Sequence, residues 1–261
     1  RYLSPASGFQ SLQFRLIENK LGLEEKDRVP YSQQHYLVVF NEKSRKLLQD
    51  SLAQPSLLKV VEKWLENTPG LKEDEFDFTA KYKEAVNRYL QETYLIPAEK
   101  ETDETRHEKI MAEYQAAKNH FDSILDPEGH EELVKAGDRR MSHKALQGML
   151  MITVYRNEPR FNQPYELLTL LTDMDSLVSK WRYHHVQMVQ RLIGSKLGAG
   201  GSSGYLYLKS TVTERYKVFV DLLNLSTYLI EHKYIPNLTP SMKKILSVFS
   251  IQEVSVEHEQ K

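Results

Sequence analysis

The sequence predicts an all-α fold. Through most of the 261 residues, apolar side chains recur at the spacing that places them on one face of a helix. Strand-like patterns are confined to residues 36–40 and to the β-branched C-terminal tail. No repeat of fixed period is visible, which argues against a solenoid. The length is sufficient for one or two domains with a substantial core.

Three helices are expected in the N-terminal part of the chain. The first covers residues 7–20 and is followed by Gly22, a residue type suited to a C-terminal cap. The second covers residues 55–67 and stops at a Thr-Pro-Gly sequence. The third covers residues 78–95 and should end before Pro97, because proline disfavours helical backbone at the preceding residue.

Residues 97–140 form a highly charged stretch with weaker amphipathic patterning. This composition predicts a partly helical, mobile surface excursion within a single domain that spans residues 1–261. Histidines in such polar surroundings are expected at the surface. Four histidines fit this description: His107, His120, His130 and His258.

Longer helices are expected in the C-terminal half. Ser142 is a suitable N-cap for a helix that must end before Pro159. Asn162 and Pro164 then resemble the start of a helix whose apolar stripe runs on to residue 193. About 30 residues at 1.5 Å each would make a rod of about 45 Å. Beyond it, residues 211–214 carry a capping-box pattern, which predicts a helix reaching Ile230.

Composition excludes several classes of function. The chain has no cysteine, which removes disulfides, iron–sulfur clusters, thiolate zinc sites and cysteine nucleophiles. The 35 basic and 36 acidic residues give a net charge of −1, so no overall electrostatic attraction to nucleic acid or anionic membrane is expected. The sequence contains no run of about 18 apolar residues, so no membrane-spanning helix is predicted. The chain opens at Arg1 without an initiator Met or a signal sequence, as expected for the inside of a longer protein.

Of the histidines, His185 is the strongest candidate for a ligand or catalytic role. At helical spacing it shares a face with Trp181 and with apolar residues further along, whereas His184 is rotated by about 100°. A buried imidazole needs a partner, since leaving it unsatisfied costs about 1–3 kcal/mol. A backbone carbonyl and a haem iron are both suitable partners, and the residues alone leave both open. His-Glu-x-x-His is absent, which excludes a zincin.

The only glycine cluster, residues 198–204, permits several interpretations. It lacks the third glycine of a dinucleotide fingerprint and the Gly-Lys-Ser/Thr ending of a Walker loop. Residues 200–204 match Gly-x-Ser-x-Gly around Ser202, but a hydrolase elbow requires a strand-to-helix turn and the flanks are helical. A flexible linker and an anion cradle remain possible. A second cradle is conceivable at residues 4–8, with Arg15 as a charged clamp.

Several stretches together resemble the tryptophan 2,3-dioxygenase family. The strongest are Tyr-Leu-Ser-Pro-Ala-Ser-Gly-Phe from residue 2, Lys-Trp-Arg-Tyr-His-His-Val from residue 180, and Gly-Gly-Ser-Ser-Gly-Tyr from residue 200. Weaker matches lie at residues 144–148, 158–161 and 215–222. The resemblance runs from residue 1 to about Pro236 and is loose in the charged middle and in the last stretch.

The resemblance implies an all-α haem-dioxygenase fold with long antiparallel helices, assembled as a cytoplasmic homotetramer. It implies haem b as cofactor, and L-tryptophan and O₂ as substrates. The implied product is N-formyl-L-kynurenine, at the first step of tryptophan degradation by the kynurenine route. Neither nucleic acid nor membrane is an expected partner.

The resemblance also assigns residues. His185 aligns with the family's axial ligand of the haem iron. No other residue of this chain is expected to be catalytic. Ser7 and Ala199 fall at the substrate. The remaining haem contacts implied are Ser7, Gly8, Phe14, Arg15, Trp181, Gly201, Ser202, Ser203 and Tyr207.

Three departures from the family pattern limit this assignment. The family's distal histidine, pocket aromatics and carboxylate-binding tyrosine lie N-terminal to Arg1, so this stretch alone is expected to be incomplete without the protein's own N-terminal segment. The arginine that clamps the substrate carboxylate falls just before residue 1, so Arg1 is not given that role. Ala199 stands where the family often has Thr, which removes a hydroxyl contact. Two alternatives stay open: a silent helical scaffold or haem-binding module, and a hydrolase using Ser202.

Overall fold

The computed structural model describes residues 12–23, 40–73, 76–194, 209, 212–213 and 216–247. Within these ranges the fold is all-α, as predicted. The described strands, Lys72–Glu73 (β1) and Phe76–Asp77 (β2), pair antiparallel as one short hairpin. Residues 36–39 and the C-terminal tail, the two predicted strand segments, lie outside the described residues.

The helices before residue 155 are α1 (Leu12–Leu21), α2 (Glu42–Leu52), α3 (Leu57–Leu65), α4 (Phe78–Leu90), α5 (Ile96–Lys100), α6 (Glu104–Leu125), α7 (Pro127–Ala136) and α8 (His143–Val154). A π-helical turn, Gln91–Leu95, joins α4 to α5. Next come α9 (Pro159–Ile193), α10 (Val220–Leu223) and α11 (Pro240–Leu246). Two 3₁₀ turns, Leu225–Tyr228 and His232–Tyr234, separate α10 from α11.

Local sequence signals explain several helix ends. Ser142 caps α8 as predicted, because its hydroxyl accepts a hydrogen bond from the Ala145 N–H at 3.2 Å. Asp77 and Ser56 cap α4 and α3 in the same way. Gly22 follows α1 with φ of +100°, a left-handed conformation that disfavours side chains with a Cβ, and its N–H bonds the Glu18 carbonyl.

The prediction that the third helix ends before Pro97 is wrong. The chain stays helical through the π turn into α5, where Pro97 occupies one of the first two positions. The turn is closed by the Ile96 N–H bonding the Gln91 carbonyl, five residues back. This wider turn changes which carbonyls face the proline, and a residue without an N–H is tolerated at the start of a helical segment.

The predicted start at Asn162 and Pro164 is also wrong. The helix α9 begins at Pro159 and encloses Pro164. Proline at the first helical position removes no intrahelical bond, and Pro164 lies close enough to the N-terminus for the helix to continue. At 35 residues, α9 is longer than expected and spans about 52 Å.

The predicted helix reaching Ile230 does not form as one element. The chain makes the four-residue α10 and then a 3₁₀ turn. Long-range bonds fix these short pieces: Asp221 accepts hydrogen bonds from the backbone of residues 140–141, and the Tyr82 hydroxyl donates to the Tyr228 carbonyl at 2.6 Å. Of the capping box, residues 211 and 214 lie outside the described residues.

Residues 97–140 are mostly helical, in α5, α6 and α7. The expectation that all their histidines lie at the surface is wrong. His130 is 1% exposed and its Nε2 lies 2.9 Å from the Met141 carbonyl. His120 is half-buried and stacks on Tyr228 with ring centroids 4.3 Å apart. The partners lie 11 and 108 positions away along the chain, so the polarity of the immediate neighbours does not reveal these contacts.

The core lies mainly between α3, α4, α8 and the segment 218–246. The helix α8 is buried along almost its whole length. None of the described helices is both long enough and apolar enough to cross a lipid bilayer.

Gly148 marks the closest approach of two core helices. A Cβ at this position would lie 2.3 Å from the Leu65 carbonyl oxygen and 2.8 Å from the Thr68 hydroxyl. Because the first of these atoms belongs to the backbone, the contact can only be relieved by moving α3 away from α8.

We therefore expect Gly148→Ala to lower the free energy of unfolding by about 1–3 kcal/mol, the usual cost of overpacking. Urea unfolding followed by circular dichroism measures the change. Gly129→Ala is the control, since the nearest neighbour of its Cβ, at 3.0 Å, is the Asp126 carboxylate that caps α7, a side chain rather than backbone. Equal stability of the two variants would contradict the close approach.

Candidate functional site

His185 lies on the buried face of α9 and is 5% exposed. Its neighbour His184 is exposed, as the helical spacing predicts. The apolar stripe expected on this helix is only partly correct: Leu168 and Leu171 are buried, whereas Leu177 and Leu192 are 66% and 74% exposed. In the middle of α9 the buried face instead carries polar side chains beside His185.

Three rings from two helices line up at His185. Phe14 of α1 stacks on Trp181 with centroids 4.2 Å apart and planes 22° from parallel. Trp181 lies parallel to the His185 imidazole, with 1° between the planes and 5.4 Å between the centroids. Phe14 is 1% exposed. Stacking within this column of three rings limits the rotation of the imidazole.

Arg182 fixes the two helices that carry this column. Its Nη2 donates to Glu18 Oε1 of α1 at 2.7 Å, and Nη1 donates to the Tyr216 carbonyl at 3.1 Å. Arg182 and Glu18 are 2% and 5% exposed. The guanidinium also lies 5.8 Å from the Phe14 ring centroid. Burial lowers the pKa of Arg182, while the charge and hydrogen bond of Glu18 act in the opposite direction.

Asp175, also on the buried face of α9, holds the segment that follows residue 216. Its two carboxylate oxygens accept the N–H groups of Val218 and Phe219 at 2.9 and 2.8 Å. Burial raises the pKa of Asp175, and these two hydrogen bonds oppose the rise. The carboxylate therefore fixes the backbone direction of residues 216–219 against α9.

Arg140 adds a second connection between the same segments. Its Nη1 donates to the Lys217 carbonyl at 3.1 Å and its Nη2 to the Gly22 carbonyl at 3.0 Å. Asp221 in turn accepts the Arg140 N–H at 2.9 Å. The end of α1, the start of α8 and residues 217–221 are thus joined by buried charged groups.

Of the predicted site residues, the structure brings together Phe14, Trp181 and His185. Arg15 lies in α1, but its side chain is outside what the structure describes. The other predicted positions lie outside the described residues: Ser7, Gly8, Ala199, Gly201, Ser202, Ser203 and Tyr207.

His185 has the chemistry of a haem ligand, because an imidazole buried beside Trp181 and Phe14 offers a nitrogen donor next to aromatic rings. In the described ranges, no group of three or more His, Cys, Asp or Glu side chains could hold a metal ion by itself.

Sequence reasoning missed Glu18, Asp175 and Arg182 as parts of this site. The sequence pattern could have identified Asp175 and Arg182. The two positions are two helical turns apart and lie on the same helix face as the apolar residues Leu171 and Val186. Charged residues on a buried helix face require partners. Glu18 lies 164 positions from Arg182, and no local pattern identifies it.

Comparison with known proteins gives two findings. A family model described as Tryptophan 2,3-dioxygenase matches residues 1–229. A protein of Xenopus laevis named Tryptophan 2,3-dioxygenase is 54% identical over 245 residues, which cover 94% of this chain. The chain spans 60% of the length of that relative.

The Glu18–Arg182 pair yields a stability test. Arg182→Met removes the Arg182 cation from the buried Glu18 carboxylate, and we expect it to lower the free energy of unfolding by about 3–5 kcal/mol. Glu18→Gln keeps an acceptor oxygen for Arg182 and should cost less. Denaturant unfolding measures both variants.

Lys135→Met is the matched control, because it breaks the Lys135–Glu132 pair, whose side chains are 67% and 73% exposed. We expect the unfolding midpoint of this control to stay close to that of the unchanged protein. If Arg182→Met were as stable as Lys135→Met, the buried pair would not hold α1 against α9.

Proposed function

This chain belongs to the tryptophan 2,3-dioxygenase family, and on that premise we propose that it carries the haem-binding part of an enzyme that oxidises L-tryptophan to N-formyl-L-kynurenine with O₂. The observation that carries the proposal is the buried His185 imidazole aligned with Trp181 and Phe14. The proposed reaction is the first step of tryptophan degradation by the kynurenine route.

In this proposal His185 would hold the iron of haem b through a ring nitrogen. The haem, when bound, would supply the O₂ chemistry of the reaction, the insertion of both oxygen atoms across the indole C2–C3 bond. Trp181 and Phe14 keep water away from the imidazole and restrict its rotation. Arg182, held by Glu18, keeps α1 and its Phe14 against α9.

The remaining contacts are proposed from the family motifs. Ser7 and Ala199 lie at the substrate, and Gly201, Ser202 and Ser203 lie over the haem propionates. Gly8, Arg15 and Tyr207 complete the haem surroundings. Contacts that hold the ammonium and carboxylate groups of L-tryptophan would also orient its indole ring. Such orientation lowers the entropic cost of reaching the reactive geometry.

A segment N-terminal to residue 1 completes the substrate pocket in this proposal, since the family's distal histidine and substrate-clamping arginine precede that position. We also propose a cytoplasmic homotetramer. The described surface supports self-association: Leu167, Leu170, Leu177 and Leu192 are 42%, 63%, 66% and 74% exposed. At 100° per residue Leu167, Leu170 and Leu177 lie within about 80° of one another around α9 and form an exposed stripe, whereas Leu192 is separated from them along the helix by the buried His185. Such an exposed apolar stripe is typical of an interaction surface.

Haem titration of His185→Ala tests the ligand assignment. We expect the Soret band of the reconstituted protein to be lost or shifted, because the iron loses its protein ligand. His184→Ala is the matched control, since this exposed neighbour should leave the spectrum unchanged. His185→Gly with added free imidazole should recover the spectrum, which separates a ligand role from a folding role.

A Soret band unchanged by His185→Ala would overturn the ligand assignment. Haem binding without formation of formylkynurenine, measured with the N-terminal segment present, would favour the silent haem-binding module. Covalent labelling of Ser202 by a phosphonate probe would favour a hydrolase.

The exposed stripe of α9 yields a test of assembly. Leu170→Glu with Leu177→Glu places two charges on the stripe, so we expect the molar mass in light scattering to fall from tetramer to a smaller species. Val60→Glu is the control, because Val60 is 54% exposed and lies on α3. An unchanged mass in the double variant would place the interface elsewhere.

A further inference from the structure

A cleft apart from the His185 site lies between α4, the end of α8, residues 232–238 and α11. Its volume is about 760 Å³, within the range of small-molecule sites. Phe14, Trp181, Arg182 and His185 do not line it. The proposed function gives this cleft no role.

The wall formed by residues 232–238 is held by side-chain bonds from its neighbours. Arg88 Nη2 donates to the Tyr234 carbonyl at 3.0 Å, and the Tyr155 hydroxyl donates to the Pro236 carbonyl at 2.7 Å. The Tyr234 hydroxyl donates to Glu92 Oε2 at 3.0 Å. The cleft is therefore preformed, and a ligand would bind without first ordering this wall.

The cleft is more cationic than the chain as a whole. Four permanently charged cations line it against two carboxylates, whereas the whole chain carries a net charge of −1. The cations are Lys81, Arg88, Lys233 and Lys243, and the carboxylates are Glu84 and Glu158. His232 adds a fifth basic group.

The four cations differ in the contacts that they already make, and the Lys81 Nζ lies over the Phe76 ring, 5.7 Å from its centroid. Lys233 pairs with Glu231 at 3.0 Å, and Arg88 is engaged with the Tyr234 carbonyl. In the part of the chain that the structure describes, neither Lys81 nor Lys243 forms an ion pair. Lys81 is half-buried on α4 and Lys243 is exposed on α11, so the two ammonium groups come from different walls.

Apolar side chains also contribute to the lining. Ala85, Tyr155 and Leu238 are buried or nearly so, at 3%, 8% and 9% exposure. Val154, Ile235 and Pro236 are half-buried and also line the cleft. Although most of the exposed surface of the cleft is polar, apolar side chains beside cations suit a ligand that combines an apolar part with an anionic group.

We propose that this cleft is a binding site for a small organic anion. The carboxylate or phosphate of the ligand pairs with Lys81 and Lys243, and its apolar body packs on Ile235, Pro236 and Leu238. The concave shape and the volume match a small molecule, whereas an acidic macromolecule would use a flatter and wider basic surface.

Isothermal titration of the folded protein with phenyl phosphate and benzoate tests this site. We expect saturable binding of at least one of the two, with inorganic phosphate weaker because it lacks the apolar body. Benzyl alcohol should not bind, because it lacks the charge. If phenyl phosphate and benzoate differ, the preferred probe identifies the anionic group.

Lys81→Gln with Lys243→Gln should weaken binding by about tenfold or more. Lys43→Gln with Lys46→Gln is the matched control, because it removes the same charge from exposed positions of α2 and should change binding less than about twofold. Both double variants should keep the thermal melt and the haem spectrum of the unchanged protein, so this test is independent of the proposed dioxygenase function.

Three results would overturn the proposal. Equal weakening by the two double variants would indicate non-specific attraction. Preferential binding of benzylamine would indicate a cation site at Glu84 and Glu158. No saturable binding of either organic anion at millimolar concentration would show that the cleft takes no ligand of this class.

Discussion

The arrangement around His185 depends on one buried ion pair, between Glu18 and Arg182. The two residues are 164 positions apart, and their 2.7 Å contact joins α1 to α9 where Phe14 meets Trp181. Moving two charges out of water costs several kcal/mol each, and the cost is recovered only when both groups are fully bonded. A pairing of this kind penalises other alignments of the two helices, so it specifies geometry more than it adds stability.

Backbone groups of residues 216–219 also contribute to the arrangement around His185. Arg182 also bonds the Tyr216 carbonyl, and Asp175 binds two successive N–H groups just beyond it. The segment at residues 216–219 has little regular secondary structure, so its polar backbone must find partners among side chains. Charged residues of α9 serve as those partners. The same helix face thus carries the proposed iron ligand and the groups that fix its surroundings.

The sequence correctly predicted those features that are determined by neighbouring residues. The Ser142 cap, the Gly22 turn and the opposite exposures of His184 and His185 follow from residues within one or two turns. It failed where distant partners decide. His130 is buried against the Met141 carbonyl although its neighbours are charged, and Leu177 is exposed although it continues an apolar stripe. The charged network of the site was missed for the same reason.

The π turn at Gln91–Leu95 has a consequence for the register of the chain. Leu90 before it and Ala98 within α5 are both buried, although eight positions in an unbroken α-helix would leave them about 80° apart. The wider turn absorbs one residue, so the effective spacing becomes about seven, close to two full turns. Shortening the chain by one residue here, with the turn reverting to α geometry, would keep both side chains inward. A deletion within α4 would rotate everything after it by about 100°.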